Sequence, residues 1–93
     1  MMTKNFQQLV NDFIAGATMG NSGSNLRIVG DKLIHYETVI AERYNDEFLL
    51  NITRYSIQTG RLQKILKEAI PNDVIKYVKS VPKGYRGTLF QGQ

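Results

Sequence analysis

Two turn dipeptides, Gly30-Asp31 and Asn45-Asp46, cut a β-prone stretch into pieces whose natural connection is the hairpin. Leu26 to Val29 and Leu33 to Tyr36 flank the first, while Thr38 to Tyr44 and Glu47 to Tyr55 flank the second. Gly reaches positive φ without steric cost, and Asn and Asp tolerate the left-handed region better than most residues, so both dipeptides reverse the chain cheaply. The spacing predicts three to four antiparallel strands in a meander. Strand side chains alternate between faces, so Phe48, Leu50 and Ile52 share one side and Leu49, Asn51, Thr53 and Tyr55 the other. The first set is assigned to the core face.

Helical patterns flank this stretch. Phe6, Leu9, Val10, Phe13 and Ile14 recur at the spacing of one helix face, with Asn5 or Thr3 as the cap and an end near Ala15-Gly16. Leu62, Ile65, Leu66, Ala69 and Ile70 form a second stripe that Pro71 closes. Asn72 or Asp73 would cap a third helix, in which Val74, Tyr77, Val78 and Val81 repeat the pattern as far as Pro82. Between the first helix and the strands, Gly16 to Ser24 reads as a mobile linker. A phosphate-binding loop would need a Gly-Lys-Ser/Thr ending and a following helix, and this stretch has neither. The expected fold class is α+β: an N-terminal helix, a three- to four-stranded antiparallel meander and two C-terminal helices. Residues 1–82 form the single domain and residues 83–93 a flexible basic, aromatic tail.

A chain of 93 residues builds one modest core, burying roughly two-thirds of its unfolded surface. The absence of cysteine excludes disulfides and thiol catalysis. No apolar run approaches the roughly 18 residues of a membrane span, and the N-terminus lacks the apolar core of a secretory signal. A soluble protein of the cytoplasm is expected. Leu89-Phe90-Gln91-Gly92 matches the core of a viral-protease site used in expression tags but lacks its flanks, and is taken as native.

His35 is the one imidazole, set between Ile34 and Tyr36 with Glu37 two residues on. A general base needs an orienting partner and a nucleophile within reach, and nothing nearby in sequence supplies them. His35 therefore reads as a packed or half-exposed strand residue. Asp31, Glu37, Glu42, Asp46 and Glu47 cluster at strands and turns, where they provide turn chemistry and solubility. No catalytic residue, metal or cofactor is expected.

The charge is unevenly spread. Residues 59–93 carry Arg61, Lys64, Lys67, Lys76, Lys79, Lys83 and Arg86 against Glu68 and Asp73, a net +5, whereas residues 1–58 carry five basic and six acidic side chains. Such asymmetry points to an anionic partner. Arg61, Lys64 and Lys67 fall on the polar side of one expected helix, and Lys76, Lys79 and Lys83 on the next. At the strand-to-helix junction Ser56 and Thr59 are candidate caps, leaving free N–H groups at a positive helix end close to Arg54, Arg61 and Lys64. In the tail, Tyr85 and Phe90 among Lys83 and Arg86 could stack on bases.

Ser24-Asn25-Leu26, Ile28, Gly30, Leu33, Tyr36, Thr38, Ile40-Ala41, Asn51 and Tyr55-Ser56-x-x-Thr59, followed by Gln63 and Leu66, resemble a family of small domains encoded largely by bacteriophages and prophages. The resemblance covers about residues 23–67. Where the family pattern has a Thr-Thr pair, this chain has Gln58-Thr59 and then Gly60. The resemblance implies a phage or mobile-element origin, a role in takeover, replication or counter-defence, and a location in the cytoplasm of the bacterial host. Two readings follow. One is a non-enzymatic accessory protein that binds DNA or RNA through its basic C-terminal surface. The other is a protein inhibitor of a host defence system, comparable to an anti-CRISPR, acting by protein–protein contact. An exposed strand edge on so small a core would also allow homodimerisation.

Overall fold

Helix α1 (Phe6–Ile14) starts where the sequence places a cap. The Asn5 side chain accepts from the Gln8 N–H, and the Gln8 side chain accepts in return from the Asn5 N–H. This reciprocal pair satisfies two of the free donors at a helix start. The computed structural model describes residues 5–22 and 25–89, so Thr3, the alternative cap, lies outside the described residues. After α1 come β1 (Met19–Ser22), β2 (Leu26–Val29), β3 (Lys32–His35), β4 (Thr38–Tyr44), β5 (Glu47–Asn51), α2 (Ile57–Ala69), a 3-10 turn (Asn72–Val74) and β6 (Ile75–Val78).

The strands form one six-stranded sheet in sequence order. Neighbours from β1 to β5 are antiparallel, and β6 joins the free side of β5 in parallel. A parallel pair needs a crossover, which α2 provides. The architecture is α+β, but it corrects the expectation of a pure antiparallel meander with two C-terminal helices: there are more strands and one later helix.

The third expected helix is β6. Val74, Ile75, Tyr77 and Val78 have the spacing of a helix face but the side chains of a strand, being β-branched or aromatic. The unpaired edge of β5 decides between them. Pairing Phe48 with Ile75 through Asn51 with Val78 satisfies backbone groups that a helix would leave open. Asn72 and Asp73 cap no helix: they lie within a 3-10 turn that starts at Pro71 without a side-chain cap and is closed by the Val74 N–H on the Pro71 carbonyl. A second correction concerns the expected linker, part of which is β1, an edge strand paired with β2. A Cβ at Gly20 would lie 3.1 Å from Leu9 Cδ1, so glycine lets α1 sit close against this strand.

Both faces of the sheet are covered. On one, α1 and α2 bury Leu9, Val10 and Phe13 with Leu62, Leu66 and Ile70 against Leu26, Ile28, Leu33, Ile40, Ala41 and Leu50. Each of these side chains larger than Ala41 contributes roughly 1.5–3 kcal/mol by leaving water. On the rear face a smaller cluster joins Ile34, Val39 and Leu49 to Val81 and Leu89. The assignment of Leu50 to the helix side agrees with the structure. However, Leu49 and Asn51 are buried as well, and Ile52, expected in the core, is 36% exposed beyond the strand end. Of the stretch 83–93 expected as a tail, the described part runs over the rear face. The Val39 N–H donates to the Tyr85 carbonyl, and buried Glu42 accepts from the Thr88 hydroxyl and the Leu89 N–H. Among the described residues no helix is long and apolar enough to cross a membrane.

Candidate functional site

The connection from β3 to β4 is a two-residue turn, Tyr36-Glu37, with φ of 49° and 65°. Asn45-Asp46 takes nearly the same angles, 49° and 67°, with residues suited to them. A tyrosine in the left-handed region is a costly choice. The Tyr36 hydroxyl is held from two sides, donating to Gln58 Oε1 at 2.9 Å and accepting from Asn25 Nδ2 at 3.0 Å. Its ring lies 4.5 Å from that of His35 and remains 48% exposed.

Facing this turn is the junction between β5 and α2. Buried Asn51 shapes it: its amide donates to the Val39 carbonyl and the Tyr55 hydroxyl, and its Oδ1 accepts from the Thr53 N–H. Tyr55 in turn donates to the Val81 carbonyl at 2.6 Å. Ser56 caps α2 by accepting from the Thr59 N–H. The amides of Ile57 and Gln58 make no hydrogen bond to described residues, as expected at a helix start. Thr59 points inward, its hydroxyl 3.0 Å from both Ser56 Oγ and His35 Nδ1.

Between turn and junction runs a groove of about 1090 Å³, lined also by Arg54, Lys83, Thr38 and Ile57. It lies beyond the carboxyl ends of the parallel strands β5 and β6, where sheet proteins often place ligands. His35 lines it from within, fully buried, with Nε2 lacking any hydrogen-bond partner among the described residues. Burial lowers the His35 pKa below the ordinary 6.5, keeping the ring neutral. Glu37 also lines the groove, but its carboxylate is bracketed by a bidentate bond from Arg27 and a contact from Arg86. The hydrogen bond and charge of Arg27, joined by Arg86, hold its pKa below 4.5. The one carboxylate among the described residues that line the groove is therefore paired.

The expected site residues separate into groups. Arg54, Ser56, Thr59 and Lys83 meet at the groove. Arg61, Lys64 and Lys67 are exposed on α2, with Lys67 over the Tyr77 ring at 5.8 Å. Lys76 leaves this set, because β6 is a strand and the residue pairs with Glu47 at 3.4 Å. Lys79 is exposed just after β6. Tyr85 is half-buried against the rear cluster, with its hydroxyl donating to the Thr88 carbonyl. Arg86 is tied to Glu37, and Phe90 lies outside the described residues.

Sequence reasoning overlooked Asn25, Tyr36 and Gln58. One signal was available: with Tyr36 ending one strand and Thr38 starting the next, the chain must reverse at residues poor in turn chemistry. His35 and Glu37, two residues apart in the sequence, are parted by that turn, one buried and the other exposed. Among the described residues no group of three or more His, Cys, Asp or Glu could hold a metal ion. Comparison with protein-family models, with curated proteins and with solved structures finds no match to this chain.

Proposed function

We propose that this protein is a non-enzymatic accessory protein of a phage or mobile element that binds nucleic acid. Its contact surface is the outer side of α2 and the adjoining groove. The origin rests on the resemblance of residues 23–67. The binding reading rests on one observation, the division of the cations into tied and free. Among the described residues before Arg54, Arg27 is paired with Glu37 and Lys32 with Asp31 and Glu42. Arg43 donates to the carbonyls of Phe13, Ala17 and Gly30. In contrast, Arg54, Arg61, Lys64, Lys79 and Lys83 form no ion pair among the described residues. Free cations beside a helix start favour phosphate, and their binding releases counterions.

Electrophoretic shift with single- and double-stranded DNA and RNA at two salt levels tests this. Wild type should bind with strong salt dependence. The double substitution Arg61→Glu, Lys64→Glu should stay folded, since both residues are exposed. It should flatten the salt slope by about one unit for each phosphate that the protein no longer neutralises. Full affinity in the folded double mutant, or no binding by wild type at low salt, would sink the reading. The inhibitor reading would then lead, and it demands a stoichiometric complex with a host protein that survives nuclease.

A further inference from the structure

We propose that the groove accepts an unpaired base, so that the preferred partner is a single strand and Tyr36 is its stacking platform. This rests on the nucleic-acid reading above and specifies which form of nucleic acid binds.

Several features converge. The groove is concave, about 1090 Å³, and large enough for a nucleotide. Its rim carries a half-exposed aromatic ring whose hydroxyl is fixed by Asn25 and Gln58, so little freedom remains to be lost on stacking. Such platforms serve single strands because every base has a π-face. Ile57, the first residue of α2 and 84% exposed, adds an apolar surface at the same groove. A large apolar side chain held in water at a helix start has no use in the core.

The charges match a backbone that passes the groove while its base enters it. Arg54 and Lys83 line the groove without acidic partners among the described residues, and Glu37 is outnumbered by Arg27 and Arg86. The open amides of Ile57 and Gln58 add donors for a phosphate oxygen. Behind the groove wall, His35 Nε2 is buried without a hydrogen-bond partner among the described residues. The Ser56–Thr59–His35 hydroxyl chain can be donated in either direction, so the neutral ring can carry its proton on either nitrogen. Finally, Tyr36 occupies a left-handed turn position that Asn would fill without strain, and the ring it contributes there is the one surface Asn lacks.

The test is fluorescence anisotropy with labelled oligo-dT, oligo-rU and a DNA duplex of equal length. Wild type should bind a single strand more tightly than the duplex. Tighter binding of either strand supports the inference and identifies the sugar. Tyr36→Asn, which suits the turn, should lose about 5- to 150-fold on single strands, the range that loss of one stacked base gives, with the duplex unchanged. Tyr36→Phe should restore most of that loss. Equal affinity for strand and duplex, or a folded Tyr36→Asn within about twofold of wild type, overturns the inference. The nucleic-acid reading then still stands on α2. Absence of binding to any probe removes both.

Discussion

The Nδ1 atom of His35 lies 3.0 Å from the Thr59 hydroxyl, joining the end of β3 to the first turn of α2 across the floor of the groove. Phe6 of α1 closes the other side, its ring centroid 5.4 Å from the imidazole. Three elements therefore meet on one buried ring.

That burial sets a pH dependence. The folded state holds the His35 pKa below 6.5, whereas the unfolded chain titrates at the ordinary value. Between those two values the unfolded state binds the extra proton, so stability rises with pH there. The His35 contribution is complete above pH 6.5 and is lost as the pH falls from 6.5 through the folded pKa. Urea midpoints should decline on acidification in that window, and His35→Gln should flatten it. An unchanged profile in the variant would assign the effect elsewhere. Glu37, held low by Arg27, acts separately below pH 4.5 and, being exposed, acts weakly.

Glu42 anchors the C-terminal segment. It is 3% exposed and accepts from Thr88 Oγ1 at 2.7 Å and from the buried Leu89 N–H at 2.5 Å. Glu42→Leu leaves those donors and nearby Lys32 without it, and each buried donor left unsatisfied costs about 1–3 kcal/mol. Amide exchange at Leu89 should accelerate sharply while the Leu50 amide changes only with global stability. Protection at Leu89 equal to wild type would show that Val81 and the apolar contacts hold the segment alone.

The two apolar extremes of α2 should behave oppositely. Leu66 is fully buried, and Leu66→Ala should cost roughly 2–5 kcal/mol, enough to unfold much of a domain this size. Ile57 is 84% exposed, so Ile57→Ala should stay within about 0.5 kcal/mol of wild type by chemical denaturation. A large loss at Ile57 would mean that it packs in solution.

Asn51 should be replaceable by nothing apolar. Fully buried, it serves Val39, Thr53 and Tyr55 at once. Asn51→Leu strands the Thr53 N–H and the Val39 carbonyl at about 1–3 kcal/mol each and empties the bond to Tyr55 as well, whereas Tyr55→Phe loses the bond to Val81 and the one from Asn51 Nδ2 at about 0.5–1.5 kcal/mol each. Thermal denaturation should rank the two variants in that order.

Local chemistry made much of this molecule legible in the sequence. The Asn5 cap, the stripes of α1 and α2, the Gly30-Asp31 and Asn45-Asp46 turns and the Ser56 junction depend on backbone geometry within a few residues, which side-chain type controls directly. Tertiary structure decided the rest. Val74 to Val78 fits a helix or a strand, and the open edge of β5 selects the strand. Met19 to Ser22 has little strand propensity, and the free edge of β2 with the close approach of Leu9 at Gly20 recruits it. The groove is the plainest case. Tyr36, Arg54, Ser56 and Lys83 are up to 47 residues apart in the chain, and none carries a local signal of the others. They meet because the end of β3, the end of β5 and the segment after β6 reach the same end of one sheet, which is a property of strand order and not of any stretch of sequence.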